Sequence, residues 1–225
     1  MKKTILTILT GAALAVGSAN AAVVFGNLGA TGSNAIQPGT GINLTSNTWR
    51  AIGFKPGGTD LVLNTATIGL YTAANGSATF QLDLYNDNAG VPGGTSLFST
   101  QQFLPANTTT QPFTFTLNQT LTAGQTYWLV GQRISGTGSL AWRGPSPGSV
   151  APTQQNASGW ANLGNITGRT STDGGLTWGS TGNGSTSSIS LTASPIPEPG
   201  TWAAMAIFAG GAAYAGWRRR RQQLA

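Results

Sequence analysis

Residues 22–194 of this 225-residue sequence predict an all-β domain, an antiparallel β-sandwich of jelly-roll-like form, followed by one C-terminal transmembrane helix. Three observations predict it. Helix formers are nearly absent from the domain: Lys55 is its only lysine, it has no Glu, and no stretch carries apolar residues at three-and-four spacing. Apolar residues instead alternate with polar ones in short runs, the period of a strand with one buried face. Turn residues recur between those runs.

Taken in order, Met1-Lys2-Lys3 is a positive start, Thr4 to Val16 is apolar, and Ala19-Asn20-Ala21 is a small-x-small cleavage signal. Residues 1–21 therefore read as a secretory signal peptide cut after Ala21, which implies a Sec translocon and a signal peptidase as partners. An uncleaved anchor would need a longer apolar run. Among the strands, Ala78 to Tyr85 places Phe80, Leu82 and Leu84 on one face with Gln81 and Asp83 on the other; Phe113 to Leu117 repeats the pattern with Thr outward. Ala66 to Tyr71, Leu97 to Phe103, Thr126 to Gln132, Leu140 to Arg143 and Ser187 to Thr192 are further strands. Turns are predicted at Lys55-Pro56-Gly57-Gly58, Asn75-Gly76, Asn88-Ala89-Gly90, Pro92-Gly93-Gly94, Ala123-Gly124 and Asp173-Gly174-Gly175. Half-buried strands need a second sheet over their apolar faces, hence a sandwich. Gly179 to Ser187 and Ala193 to Gly200 read as linkers.

The basic pI comes from the ends. Of eleven Lys and Arg, Lys2, Lys3, Arg218, Arg219, Arg220 and Arg221 lie in the targeting segments, as does Glu198 among five acidic residues. The domain keeps Arg50, Lys55, Arg133, Arg143 and Arg169 against Asp60, Asp83, Asp87 and Asp173, a net of +1, and gives no support for nucleic-acid binding. Cysteine is absent, so an exported domain here relies on packing and hydrogen bonds alone.

The inventory for catalysis is nearly empty. Without His or Cys there is no side chain that ordinarily titrates near neutrality and no thiol nucleophile. A carboxylate pair would have to come from four aspartates, of which Asp60 and Asp173 sit in turn contexts suited to capping backbone N–H groups. We expect no enzyme and no cofactor. For metals, only a hard cation on oxygen ligands is conceivable; Asp87 and Asn88 are the one weak calcium candidate, against a plain hairpin turn. The aromatics are the remaining lead. Trp142, Trp160 and Trp178 are candidate glycan contacts, while the competing expectation is that most rings fill the core.

The tail closes the sequence. Pro195, Pro197 and Pro199 stiffen an extended approach over residues 195–200, after which a helix can begin. Thr201 to Trp217 is uncharged, flanked by Trp202 and Trp217, and apolar all round; it reads as a short membrane span of roughly 25 Å. Arg218, Arg219, Arg220 and Arg221, in the basic tail 218–225, would stop the span, hold that end in the cytoplasm and put the domain on the outer side.

Pro197-Glu198-Pro199, the short hydrophobic helix and the arginine cluster, in that order, resemble the PEP-CTERM sorting signal of Gram-negative bacteria. The resemblance implies recognition by an exosortase, a membrane transpeptidase, passage through the inner membrane with the domain in the periplasm, and a cell-surface or extracellular-matrix destination in exopolysaccharide and biofilm. Separately, Gly53-Phe54, Leu84 to Gly93, Leu121 to Val130, Ala141-Trp142, Gly159-Trp160 and Trp178 resemble the choice-of-anchor R ectodomains, a likeness that brings no catalytic residue. The expected role is structural or adhesive; the alternative is a carbohydrate-binding module for exopolysaccharide.

Overall fold

The computed structural model describes residues 21–26, 28, 41–73, 76–144, 153–154, 168–180, 187–196 and 210–211. Its strands are β1 (Ala22–Gly26), β2 (Gly41–Leu44), β3 (Trp49–Phe54), β4 (Leu61–Thr72), β5 (Ser77–Asn88), β6 (Val91–Leu104), β7 (Asn107–Leu121), β8 (Tyr127–Thr137), β9 (Leu140–Arg143), β10 (Thr153–Gln154), β11 (Arg169–Ser171), β12 (Gly179–Ser180) and β13 (Ile189–Pro195). All pair antiparallel, in two sheets. The all-β expectation holds.

The seven-stranded sheet is organised around β4. One edge of β4 pairs with β7 along its whole length, while β13 and β9 share the other: β13 covers Leu61 to Ile68 and β9 covers Leu70 to Thr72. Ser188 fills the notch between these two, donating its N–H to Arg143 O at 2.7 Å and accepting from the Trp142 indole at 2.9 Å. Beyond β13 lie β1 and β10, and beyond β9 lies β2. The six-stranded sheet runs β12-β11-β3-β8-β5-β6.

The core lies between the sheets, and strand periodicity decides its membership. Phe80, Leu82 and Leu84 of β5 and Tyr127 and Leu129 of β8 meet Leu63, Ile68, Leu70, Phe115, Trp142 and Leu191 of the other sheet. Trp142 is fully buried and meets Phe80 edge-on at 6.3 Å. Gly131 makes room for both: a Cβ there would lie 2.7 Å from Phe80 and 2.9 Å from Trp142.

Several elements depart from the sequence reading. β3 escapes the alternation rule because its inward face includes Arg50, fully buried at the sandwich rim. Arg50 donates to Ser187 Oγ at 3.1 Å and Thr170 Oγ1 at 3.3 Å. Burial lowers its pKa to about 10, which still leaves it charged at neutral pH. Pro92-Gly93-Gly94 is strand and not turn, within a stretch of β6 whose register against β5 shifts twice. Ala193 to Pro195 is no linker: these residues pair with Leu63, Val62 and Leu61. Gly179–Ser180 likewise pairs with β11.

Of the predicted turns, Lys55–Gly58 is a bridge residue leading to a bend at Gly58, while Ala123-Gly124 and Asp173–Gly175 are turns. The first two are tied together, Gly124 N donating to Pro56 O at 2.7 Å and Ala123 N to Asp60 Oδ1 at 2.8 Å. Among the described residues no helix is long and apolar enough to cross a membrane. The predicted span 201–217 lies outside them except for Gly210 and Gly211, which are helical. The basic tail 218–225, with Arg218, Arg219, Arg220 and Arg221, lies outside them entirely.

Candidate functional site

Alternation leaves the odd-numbered residues of β3 and β5 and the even-numbered residues of β8 on the outer face of the six-stranded sheet. The register sets them in rows. Gln101, Gln81, Gln132 and Trp49 follow one another across β6, β5, β8 and β3; next come Ser99, Asp83, Val130 and Ala51; then Tyr85 beside Trp128. Gln101 donates to Gln81 Oε1 at 2.9 Å, and the Gln81 and Gln132 amides each donate to Asp83 at 2.9 Å. Asp83 is 1% exposed, and its charge is met by amide donors. A buried carboxylate is tolerable only with such partners.

Ala51, Val130 and Trp128 are buried in the middle of this face, with Trp49, Tyr85 and Trp178 packed around them half-exposed. Burial, and second the Asp83 charge, push the Tyr85 phenol up, so it remains a hydrogen-bond donor. Trp49 and Trp178 lie 6.5 Å apart at 58°, and the Trp49 indole donates to Ser46 O at 2.8 Å.

The loop after β11 brings Trp178 to this position. Its Gly175 runs so close over the Trp49 ring that a Cβ would come within 2.4 Å. Asp173 holds the loop, accepting from Ser171 Oγ at 2.7 Å and from the Thr177 backbone at 2.9 Å and hydroxyl at 2.5 Å. Those bonds, the Thr177 hydroxyl first, lower its pKa to about 2. The turn-capping role expected of Asp60 and Asp173 is what both perform.

Asp87 sits at the β5–β6 hairpin, where Asn88 faces Val91 and both intervening residues, Ala89 and Gly90, have positive φ, 54° and 86°. That is a type I′ turn, matched to strand twist. Its carboxylate oxygens already accept from the Trp128 indole at 2.7 Å and from Gly90 N at 3.1 Å. Asp87 therefore caps the hairpin and holds the Trp128 indole. Among the described residues no three Asp or Glu side chains gather as a metal site.

Of the predicted glycan contacts, Trp142 is corrected. It is core, sealed over Gly131, and cannot reach a ligand. Trp178 stands half-exposed on the outer face; Trp160 lies outside the described residues. Sequence reasoning missed Trp49, Tyr85 and the Asp83 amide network as one patch. Its signal was present in the parity of Gln81, Asp83 and Gln132, but the pairing of β3 with β8 was needed to join Trp49 to them.

The second feature of interest is the exit from the sheet. β13 pairs on one side with β4 and on the other with β1, so Ala22 lies opposite Ala193 and the chain leaves the sheet at Pro195. Ala21, exposed, directly precedes β1 at this same end; Ala19 lies outside the described residues. Of the predicted sorting residues, Pro197, Glu198 and Pro199 lie outside them too, as do Arg218, Arg219, Arg220 and Arg221. Residues 195–221 match the PEP-CTERM protein-sorting motif, a stretch that takes in all seven. The PEP-CTERM segment thus begins at the last paired residue of a sheet strand. It implies export, membrane-anchored sorting and processing by an exosortase. No curated protein and no solved structure is similar to the chain at a significant level.

Proposed function

We propose that this chain is a non-enzymatic surface or matrix protein whose sandwich has a structural or adhesive role in exopolysaccharide or biofilm. In this reading the signal peptide at residues 1–21 passes the chain to the Sec translocon, and signal peptidase cuts after Ala21. The domain, of the choice-of-anchor R kind, folds in the periplasm while the PEP-CTERM segment holds it at the inner membrane, with Arg218, Arg219, Arg220 and Arg221 on the cytoplasmic side. The exosortase then processes it toward the cell surface or the extracellular matrix. The match at residues 195–221 is the observation that carries this proposal. Continuity of β13 with the segment supports it, because a cut after Pro195 removes no residue of the described sheet. The lack of His and Cys supports a non-catalytic domain. An immunoblot in a strain with an active exosortase tests the sorting step: Glu198→Ala should lower the processed fraction, and unchanged processing would refute it.

A second reading, a carbohydrate-binding module, draws on the outer face, where half-exposed Trp49, Trp178 and Tyr85 stand beside exposed Gln101 and half-buried Gln81. Flat rings next to amides suit the apolar faces and hydroxyls of sugars. Affinity electrophoresis in neutral and acidic glycans tests it. Retardation should fall on Trp178→Ala; mobility indifferent to every glycan would rule it out.

A further inference from the structure

Among the described residues, four of the free edges are guarded by brevity or by proline. β2, β10 and β12 are four, two and two residues long, and β7, though longer, carries Pro112 within its run. Short edges and prolines are the usual defences against strand addition, together with charge and bulges. β6 is different. Its first half is irregular, with Pro92 and two register shifts against β5. From Phe98 to Leu104 it pairs with Leu84 to Ala78 without interruption, and it contains no proline. The sequence has no charged residue between Asp87 and Arg133, so neither β6 nor β7 bears one. Among the described residues β6 pairs with β5 alone.

The side chains of this half-strand are self-complementary. Leu97, Ser99, Gln101 and Phe103 are exposed on the outer face, Leu97 at 46% and Phe103 at 63%. Leu97 and Phe103 are equally spaced about Thr100. In an antiparallel pair centred there, Ser99 of one copy stands directly opposite Gln101 of the other, and Leu97, the bulge residue one step beyond the regular run, comes against Phe103. Directly opposed residues are the pairs that stabilise an antiparallel ladder. The two exposed apolar side chains of each copy therefore cover each other in the one register that a two-fold axis through Thr100 allows.

We infer that β6 is a self-association edge: two copies of this chain join antiparallel about Thr100, merging two six-stranded sheets into one. The outer faces, with Trp49, Tyr85 and Trp178, then lie on the same side of the joined sheet. A second copy is the occupant because the match is between the strand and itself, apolar against apolar and hydroxyl against amide, with no charge for an oppositely charged partner to meet.

The absence of native cysteine makes the register testable on the full chain in detergent. Mixed Ser99→Cys and Gln101→Cys chains should form an intermolecular disulfide on mild oxidation, whereas either variant alone should form far less, since identical positions lie on the diagonal, beyond disulfide reach. Phe103→Lys should convert the dimer to monomer in sedimentation while the far-UV circular dichroism of the folded domain stays the same, because the side chain is exposed in the single chain. A wild-type chain that stays monomeric, a dimer indifferent to Phe103→Lys, or cross-linking equal in all mixtures would each overturn the proposal.

Discussion

The two faces of the six-stranded sheet are both buried at their centre, but by different means. The inner face meets another sheet, and Phe80, Leu82, Leu84 and Leu129 fill it with apolar side chains, Arg50 of β3 being the charged exception. Among the described residues no sheet covers the outer face. Its buried Ala51, Val130 and Trp128 are ringed by half-exposed aromatics, an amide-bound carboxylate and a loop pinned by Asp173. β8 shows the consequence: Tyr127 to Gln132 is buried on both parities, so the strand reads as a near-continuous apolar run and not as an alternation. Alternation says which residues share a face, and a cover on the second face must be built from side chains that satisfy their own polar groups.

The sharpest contrast is between two tryptophans. Trp142→Ala in the inner core should cost about 3–5 kcal/mol, because Gly131 and Phe80 are shaped around the ring. Trp178→Ala on the outer face should cost about 1 kcal/mol, since that ring is half-exposed. Denaturant unfolding followed through the remaining tryptophans measures both, and equal losses would erase the distinction.

A smaller effect concerns the loop alone. Asp173 has its folded pKa lowered from 3.8 to about 2, so its contribution is fully present above about pH 4 and is lost as pH falls toward 2. The melting temperature of Asp173→Asn should lie below wild type at pH 6, and the gap should close between pH 4 and pH 2. A gap that persists at pH 2 would mean that the carboxylate charge is not what holds the loop.

Strands bounded by clear turn residues were legible from sequence. β9 matches its predicted bounds, and β5 lies over the predicted run with the predicted facing. β3 was not, because a buried Arg50 is indistinguishable in sequence from a solvated one until Ser187 and Thr170 arrive from distant chain positions. β11 and β12 were hidden by their shortness, and Ala193 to Pro195 by composition, although β4 recruits them. The sorting motif was legible because its parts are contiguous in the chain, and residues 195–221 match it. The outer patch was legible only in pieces, because its rows run across four strands.

The position of β13 has a mechanical consequence. Tension drawn through the tail enters the sandwich at Pro195, along the axis of a strand bonded on both sides. Its ladders to β1 and β4 are loaded in shear, many bonds together, when the load is resisted at the far end of the sandwich, and the β1 ladder is peeled when it is resisted at Ala22. A domain tugged through its sorting segment takes that pull on a strand held along both edges.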